Sequence, residues 1–375
     1  MKKEIVIIMS ALHGGGAEKV LIDYLRNFDY DRFKVTLCLV LHEGVYLNDL
    51  PDEVTLVYLY EKFGLFPYRI EHWMSKYLRI DGFQKRRVKK VFKKHHFDTV
   101  ISYMEGIPLK FHKYFLKYAN RHITWVHLDL YNFHYSLTVF GNKKQEEQIY
   151  KKMDAIVFVS EDAKKQFHRL YPLDVFKKVI YNIIDKEAIE KHITNVYSLN
   201  STIKIGAVGR LENQKRFDRL IAAAALLKKE GVHFLVNIIG EGSLRIDLEK
   251  AIKENDLTEC VFLKGFVKPP YNLINECDII VATSEAEGFS LVVAEALCLG
   301  KAVISTATAG PIELLDNGKY GIICEHDVNA IYEAIKSLIR DRNKLEHYQY
   351  VAKERSAFFE VKQSIEALEK IIENV

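Results

Sequence analysis

Residues 284–297, Ser-Glu-Ala-Glu-Gly-Phe-Ser-Leu-Val-Val-Ala-Glu-Ala-Leu, form the most informative segment of this 375-residue chain. The apolar run Ile279–Ser284 is typical of a buried strand, and the apolar residues after Ser290 suit a helix. The segment therefore predicts a strand, a glycine-containing loop and a helix whose N-terminus can bind a phosphate. Glu287 stands before this helix and Glu295 within it. Acids beside a phosphate are unfavourable unless they accept hydrogen bonds from ligand hydroxyls, as in a sugar or ribose.

The same alternation of strand and helix continues along the whole chain in two sets. Short β-branched runs predict the strands, and amphipathic stretches between them predict helices. The first set of strands is Ile5–Ser10, Lys34–Leu41, Val54–Leu59, Thr99–Tyr103, His122–Val126, Ala155–Ser160 and Lys178–Tyr181. The second set is Ile203–Val208, Phe234–Ile239, Val261–Lys264, Ile279–Ser284, Ala302–Ser305 and Gly321–Cys324. Strands that alternate with helices form parallel sheets, so each set predicts one Rossmann-like α/β domain.

The segment between the two sets, Lys191–Thr202, is polar and has no periodic pattern, which predicts a linker. We therefore expect an N-terminal domain in residues 1–190, a linker in residues 191–202 and a C-terminal domain in residues 203–350. Residues 351–375 predict a C-terminal helix that packs back on the N-terminal domain.

Composition excludes several other classes of protein. With 49% hydrophobic and 28% charged residues, the chain is not disordered, collagenous or a coiled coil overall. Its longest purely apolar run, Leu220–Leu227, is far shorter than the ~18 residues that cross a bilayer, so no transmembrane helix is expected. The five cysteines are widely spaced, without a Cys-x-x-Cys pair, which indicates a reduced, cytoplasmic protein.

Charge is distributed unevenly along the chain. Residues 1–190 contain 31 Lys and Arg and 24 Asp and Glu, a formal charge of +7, whereas the remainder contains 23 and 26, a formal charge of −3. Part of the excess lies in Lys85–Lys94, where Val88 and Phe92 are surrounded by cations and the aromatic Trp73 and Tyr77 lie upstream. A basic amphipathic surface with aromatics suits anionic lipid, which predicts peripheral association with the inner membrane face. A solvated helix that covers the first sheet remains the alternative.

Three further strand-to-helix loops carry glycines or cations. The loop Leu12–Lys19 contains three consecutive glycines, which suits an anion or an acceptor sugar, but it lacks the third glycine of the dinucleotide fingerprint. In the segment Val208–Leu220, Arg210 and Lys215 can converge on one diphosphate without a metal. The loop Ile239–Ser243 has two glycines that permit close backbone contact with a nucleotide. A flexible turn and ordinary surface charge are the alternatives for these loops.

These motifs together resemble the family 4 glycosyltransferases over nearly the whole chain. The resemblance rests on Glu287-x7-Glu295 within EGFSLVVAEAL, on GGGAEKV, GRLENQKRFDRLI and GEG, on GFV at Gly265–Val267, and on AGPIELL at Ala309–Leu315. It implies the GT-B fold, in which two Rossmann-like domains face each other across a cleft. Two positions depart from the family pattern, because Arg216 and Ser290 stand where glycine is common.

The resemblance also implies roles for individual residues. Arg210 and Lys215 would neutralise the diphosphate, Glu287 would hold the donor sugar, and His127 would face the transferred sugar as the fourth catalytic residue. Glu295 would hold the ribose hydroxyls. The other donor-binding residues would be Gly15, Gly16, Gly240, Gly242, Val267, Gly288, Phe289, Ser290 and Leu291.

The resemblance implies transfer of a sugar, with retention and without a metal or other cofactor, from a nucleotide sugar to a glycan or lipid-linked saccharide. UDP-hexose or UDP-N-acetylhexosamine is the expected donor, and a lipid-linked or envelope polysaccharide the expected acceptor. A nucleotide-sugar epimerase on the same architecture is the first alternative. A nucleic-acid-binding protein that uses the basic half is the second, but Glu287 and Glu295 would repel phosphodiesters, so no nucleic acid is expected.

Overall fold

The computed structural model describes residues 2–61, 66–194 and 202–374, which form two compact α/β units. The first unit contains residues 1–183 and 362–375, and the second contains residues 184–361. Most of the predicted linker, residues 195–201, lies outside the described residues.

The first unit is built on a seven-stranded parallel sheet with the strand order β3-β2-β1-β4-β5-β6-β7. Its strands are β1 (Lys3–Met9), β2 (Phe33–Leu41), β3 (Thr55–Tyr60), β4 (Phe97–Ser102), β5 (Ala119–Val126), β6 (Ala155–Phe158) and β7 (Phe176–Val179). The central strand β1 is buried from Ile5 to Met9 without alternation, because helices cover both faces of a parallel sheet. Each strand predicted in the first set overlaps one of these strands.

Eight helices pack in the first unit as it is described. They are α1 (Gly16–Arg26), α2 (Phe66–Trp73), α3 (Gly82–Phe92), α4 (Ile107–His112), α5 (Leu137–Phe140), α6 (Lys143–Tyr150), α7 (Glu161–Leu170) and, from the far end of the chain, α16 (Val361–Asn374). In the part of the chain that the structure describes, no helix combines the length and the apolar character needed to cross a membrane.

The second unit has a six-stranded parallel sheet with the order β10-β9-β8-β11-β12-β13. Its strands are β8 (Ile203–Val208), β9 (Phe234–Ile239), β10 (Val261–Gly265), β11 (Ile279–Ala282), β12 (Ala302–Thr306) and β13 (Ile322–Cys324). Its helices are α8 (Lys186–Lys191), α9 (Phe217–Lys229), α10 (Arg245–Glu254), α11 (Tyr271–Asn275), α12 (Leu291–Cys298), α13 (Ala309–Leu314), α14 (Val328–Arg340) and α15 (Arg342–Arg355). Both sheets thus have the Rossmann-like strand order that the sequence predicts.

The C-terminal segment returns to the first unit. Arg32 binds Glu369 of α16 at 2.6 Å, and the Arg121 guanidinium donates to the carbonyl of Ile372 at 2.9 Å. The single helix expected over residues 351–375 is in fact two helices. Its first residues are the end of α15 in the second unit, and the segment that belongs to the first unit begins at Lys362, the second residue of α16.

Candidate active site

The candidate site of the second unit lies where its strand order reverses, between β8 and β11. Loops that follow such a pair leave the carboxyl edge of the sheet side by side, which is where open α/β sheets bind ligands. Here the two loops are joined directly. The N–H of Glu285 donates to the carbonyl of Gln214 at 2.8 Å, the Gln214 amide donates to the carbonyl of Ala286 at 2.8 Å, and the Thr283 hydroxyl donates to the carbonyl of Lys215 at 2.8 Å.

This junction brings together two of the predicted catalytic residues. Lys215 Nζ lies 2.5 Å from Glu287 Oε1, and the hydroxyl of Ser284 donates to the same oxygen at 2.7 Å. Glu287 is only 8% exposed, so its carboxylate is held by these two donors in a largely dry environment. An ammonium group fixed in this way can turn its remaining N–H groups toward a second anion without a large reorganisation.

The helix α12 begins at Leu291, four residues after Glu287. Its N-cap residue, Ser290, has a left-handed backbone (φ 70°), and the Ser290 side chain makes no capping hydrogen bond. The Ser290 hydroxyl is buried and has no hydrogen-bond partner among the described residues, and the same holds for Thr308 Oγ1 at the N-cap of α13. The start of α12 therefore keeps the partial positive charge that binds phosphate, with an unsatisfied hydroxyl beside it. Gly288, Phe289 and Leu291 lie in this same turn.

The loops after β8 and β9 pack backbone against backbone. A Cβ on Gly240 would lie 1.9 Å from the carbonyl oxygen of Gly209, and one on Gly242 would lie 2.4 Å from that of Leu211. These positions accept only glycine, so Gly240 and Gly242 shape the loop that carries Arg210. Hydrogen bonds from Ser243 and, to a lesser extent, the charge of the exposed Arg210 hold the pKa of Glu212 below its usual value.

Two other predicted donor-binding residues occupy different places. Glu295 lies within α12, one residue beyond its first turn, and is buried. Val267 follows β10, the outermost strand of the sheet, two strands away from β8. Glu295 therefore lies in the helix whose N-terminus forms part of the candidate site. Val267 lies after β10, two strands away from β8, where the strand order reverses.

In the first unit, the glycine loop after β1 is closed by its own carboxylate. The N–H groups of Gly14 and Gly15 both donate to Oε2 of Glu18, the former at 2.7 Å. Glu18 is the third residue of α1, so this is the carboxylate half of a capping box. Helix α1 begins at Gly16, inside the segment Leu12–Lys19 that the sequence predicts as a loop.

His127 follows β5 at the carboxyl edge of the first sheet. Burial lowers the pKa of its imidazole to about 3, so the ring is neutral. A hydrogen bond to the backbone of Tyr103 opposes this shift, whereas His127 Nε2 is buried and has no partner among the described residues. The ring therefore donates through Nδ1 to the Tyr103 carbonyl and keeps Nε2 as an unsatisfied acceptor, which suits a ligand hydroxyl.

Several residues that shape these sites were not predicted from the sequence. Ser284 and Gln214 hold the junction between the loops of the second unit, and no local pattern marks them. Glu18 had a visible signal, an acid three residues after the N-cap position. Glu105, which accepts a hydrogen bond from the N–H of His127 at 2.8 Å, had none.

Each unit has the strand order of a doubly wound, Rossmann-like domain, and the second holds a partly buried cation–acid pair where its order reverses. Two family models match the chain in succession, "Glycosyltransferase Family 4" over residues 14–188 and "Glycosyl transferases group 1" over residues 190–355. The chain belongs to the family 4 glycosyltransferases of the GT-B fold.

Curated relatives match parts of the chain. A Campylobacter jejuni N-acetylgalactosamine-N,N'-diacetylbacillosaminyl-diphospho-undecaprenol 4-alpha-N-acetylgalactosaminyltransferase is 32% identical over 235 residues, which are 62% of this chain and 63% of the relative. A Staphylococcus aureus poly(ribitol-phosphate) alpha-N-acetylglucosaminyltransferase is 27% identical over 164 residues, 40% of this chain and 33% of the relative. The matched region thus spans less than two thirds of either relative.

Solved structures match the fold along its whole length. Anabaena HepE in complex with UDP and glucose has a TM-score of 0.79 at 20% identity, with both chains fully covered. Sucrose-phosphate synthase from Thermosynechococcus elongatus has a TM-score of 0.80 at 15% identity, with 99% of this chain and 98% of that chain covered. These similarities confirm the expected pair of Rossmann-like domains.

Proposed function

We propose that this protein transfers a sugar, with retention and without a metal, from a UDP-hexose or UDP-N-acetylhexosamine to a lipid-linked or envelope polysaccharide. The observation that carries the proposal is the Lys215–Glu287 pair at the uncapped start of α12. This pair places a cation, a hydroxyl-binding acid and a helix N-terminus at the carboxyl edge of one sheet, which suits a sugar diphosphate.

Lys215 and Arg210 would supply the positive charge for the reaction. As the bond between sugar and diphosphate breaks, negative charge grows on the departing UDP, and a cation already fixed in position stabilises it most in the transition state. Lys215 is fixed by Glu287, and the exposed Arg210 lies five residues earlier in the same loop after β8. We therefore propose that these side chains act in the place of a metal ion.

The acceptor hydroxyl would attack from the face that the diphosphate leaves, and the leaving phosphate would take its proton. Glu287 and the Nε2 of His127 would accept hydrogen bonds from hydroxyls of the transferred sugar, since both are acceptors held in place by the protein. Glu295 would bind the ribose. No protein nucleophile takes part in this course.

The relatives support the substrate classes. The Campylobacter transferase is named for an acceptor with a diphospho-undecaprenol lipid, and the Staphylococcus transferase for a poly(ribitol-phosphate). HepE has been solved with UDP-glucose as well as with UDP and glucose. Two of these proteins are named as transferases and the third was solved with a nucleotide sugar, so none of them supports the epimerase alternative.

A donor panel tests this proposal. UDP-glucose, UDP-galactose, UDP-GlcNAc and UDP-GalNAc would each be incubated with the protein and diphosphate-lipid-linked saccharides, and UDP release and glycolipid mass would be followed with and without EDTA. We expect one donor to extend the lipid by one sugar in both conditions. Isomerisation of the donor without an acceptor, or loss of transfer in EDTA, would overturn the corresponding part of the proposal.

We further propose that the protein meets an anionic membrane through the basic segment Lys85–Lys94. In α3, Val88 and Phe92 are buried against the first sheet and Arg87 binds Glu71 at 2.8 Å, which leaves the other cations exposed. Next to them lies an exposed apolar group made of Ile70, Trp73, Tyr77, Leu78, Ile80 and Phe83. Exposed aromatics beside lysines match the interface of an anionic bilayer.

Vesicle sedimentation tests the membrane contact. We expect binding to phosphatidylglycerol vesicles at low salt, little binding to phosphatidylcholine vesicles, and loss of binding at high salt. Lys89→Glu with Lys90→Glu should abolish it. The matched control is Lys250→Glu with Lys253→Glu, the same charge change on the exposed face of α10 in the second unit. Equal loss in both double variants would show a net-charge effect and contradict the proposed surface.

A further inference from the structure

Glu105 is a buried acid without a cation. It follows β4 at the carboxyl edge of the first sheet and is 1% exposed. Its Oε2 accepts the N–H of His127 at 2.8 Å, and its Oε1 accepts the hydroxyl of Tyr135 at 3.1 Å. Among the described residues it forms no salt bridge, although burial of a carboxylate without a cation is costly.

The neighbouring acid Glu146 shows what a structural buried carboxylate looks like in this unit. It is fully buried and accepts from His134 at 2.8 Å, from Ser136 at 2.7 Å and from the hydroxyl of Tyr171 at 2.9 Å. Glu146 therefore has three donors, one of which can carry a charge. Glu105 also accepts a hydrogen bond from its own backbone N–H, but none of its donors can carry a charge, so its ionised form is more costly to retain than that of Glu146.

The environment of Glu105 brings its titration to neutral pH. Burial raises the pKa of Glu105 to about 7, Glu146 adds to the shift, and the hydrogen bonds from His127 and Tyr135 oppose it. Tyr150 of α6 is the other titratable group that feels this charge, and burial together with Glu146 and Glu105 raises its pKa far out of the neutral range. His127 stays neutral, so Glu105 is the group of this cluster that changes charge near pH 7.

The two donors from the following loop bind the ionised carboxylate of Glu105 more strongly than a carboxylic acid. The His127 N–H and the Tyr135 O–H point at the two oxygens, and a proton on either oxygen would face a donor instead of an acceptor. The peptide of His127 and the side chain of Tyr135 lie at either end of one loop, residues 127–135. Protonation would therefore loosen this loop and shift the imidazole whose Nε2 is unsatisfied.

We propose that Glu105 is a positioning residue for His127: its carboxylate holds the loop 127–135 and aims the imidazole, and its protonation releases both. The inference rests on the proposed function, in which His127 accepts a hydroxyl of the transferred sugar. Under it, the activity of the enzyme falls below neutral pH because of a buried glutamate, although the histidine beside it has the more familiar titration range.

The first test needs no substrate. The ¹⁵N shifts of the His127 imidazole, assigned with His127→Asn, should move with a midpoint near 7 while they stay in the neutral range. Glu105→Gln should remove this transition. Tyr135→Phe should keep it but raise its midpoint, because the tyrosine hydroxyl lowers the pKa of Glu105. A flat wild-type curve, or a transition that survives in Glu105→Gln, would overturn the proposal.

Stability distinguishes positioning from a structural role. Because the folded state raises the pKa of Glu105 from 4.5 to about 7, its contribution to stability is lost as pH rises across that window. The melting temperature of Glu105→Gln relative to wild type should therefore increase between pH 4.5 and pH 8. Glu146→Gln is the structural control and should melt lower at pH 8. A Glu105→Gln variant that melts lower at pH 8 by as much as the control would contradict the proposal.

The third test is the steady-state kinetics of Glu105→Gln. At pH 8, Glu105→Gln should lower kcat about tenfold, the loss expected for one charge-assisted hydrogen bond, with the KM for the donor within about twofold of wild type. Its kcat should not depend on pH near neutrality. If the wild type transfers no sugar from any donor, the proposed function fails, whereas the imidazole shifts and melting temperatures still decide the role of Glu105.

Discussion

Two of the glycine-containing loops that precede helices, the one before α1 and the one before α12, differ in the partners of their polar groups. Before α1, the N–H groups of Gly14 and Gly15 are bound by the carboxylate of Glu18. Before α12, the N-cap residue Ser290 makes no capping hydrogen bond, and its hydroxyl has no partner among the described residues. An N-terminus neutralised by its own acid attracts a phosphate less than an uncapped one. Similar glycine patterns in a sequence therefore do not predict equal affinity for anions.

The largest effect should come from the cation beside the uncapped helix. Lys215→Ala should lower kcat by about 10²–10³-fold, the scale of one lost transition-state donor, because the charge of the diphosphate rises as the bond breaks. Binding of UDP should fall less. Steady-state kinetics together with UDP calorimetry measure the two effects.

The control for this variant is Arg216→Ala. Arg216 is the next residue along the chain, but its guanidinium binds Asp218 at 2.8 Å and Glu285 at 3.2 Å, so turnover should stay near normal. Normal turnover in folded Lys215→Ala, or a large loss in Arg216→Ala, would mean that another cation or a metal neutralises the diphosphate.

Glu295→Ala should have the next largest effect, on binding. If Glu295 holds the ribose, it makes the same contacts in the ground state and the transition state. The affinities for the donor and for free UDP should then fall by the same factor, about tenfold or more, while kcat changes little. Calorimetry with UDP and kinetics with the donor provide the comparison. Loss of kcat with unchanged affinity for UDP would place Glu295 near the reacting sugar instead.

Glu18→Ala examines the other loop. Removal of the capping carboxylate should destabilise the first unit by about 1 kcal/mol, as expected for a lost N-terminal cap. The affinity for UDP should change by less than about twofold, since the loop before α12 carries most of the phosphate contacts in the proposed site. Thermal unfolding and calorimetry give both values. Tighter binding of UDP would show that Glu18 competes with a phosphate for the amides of Gly14 and Gly15.

The smallest effect is expected from Ser290→Gly. The backbone of Ser290 is left-handed, a conformation that glycine adopts without strain. The substitution should therefore stabilise the fold by about 0.5–1 kcal/mol. Arg216→Gly is the matched control, because Arg216 is also left-handed (φ 50°) but loses its ion pairs. If the Ser290 hydroxyl binds phosphate, Ser290→Gly should lower the affinity for UDP and Arg216→Gly should not. Equal affinity in both glycine variants would exclude the hydroxyl from the site.

Most of the fold could be predicted from the sequence because parallel strands buried on both faces are continuous apolar runs. The stretches Ile5–Met9 and Ile279–Ala282 are fully buried in this way. The two departures from the family pattern, Arg216 and Ser290, were visible as missing glycines, and the structure gives the reason that glycine is common there. Both have positive φ.

What the sequence could not reveal depends on contacts between distant segments. Lys215 and Glu287 were each expected to face a ligand, but their salt bridge arises because β8 and β11 are neighbours in the sheet although two strands separate them in the chain. The break between α15 and α16 was also missed, because the helical pattern on either side resembles one long helix. Burial of an acid in a loop, as at Glu105, leaves no periodic signal at all.

The return of α16 to the first unit has a consequence for biosynthesis. The whole second unit, residues 184–361, is nested between two segments of the first. During translation, the strands of the first sheet leave the ribosome early, but α16 is made only after all of the second unit. Arg32 and Arg121 thus face solvent in the nascent chain until Glu369 and the carbonyl of Ile372 arrive. The domain that begins synthesis first is therefore the one that completes folding last.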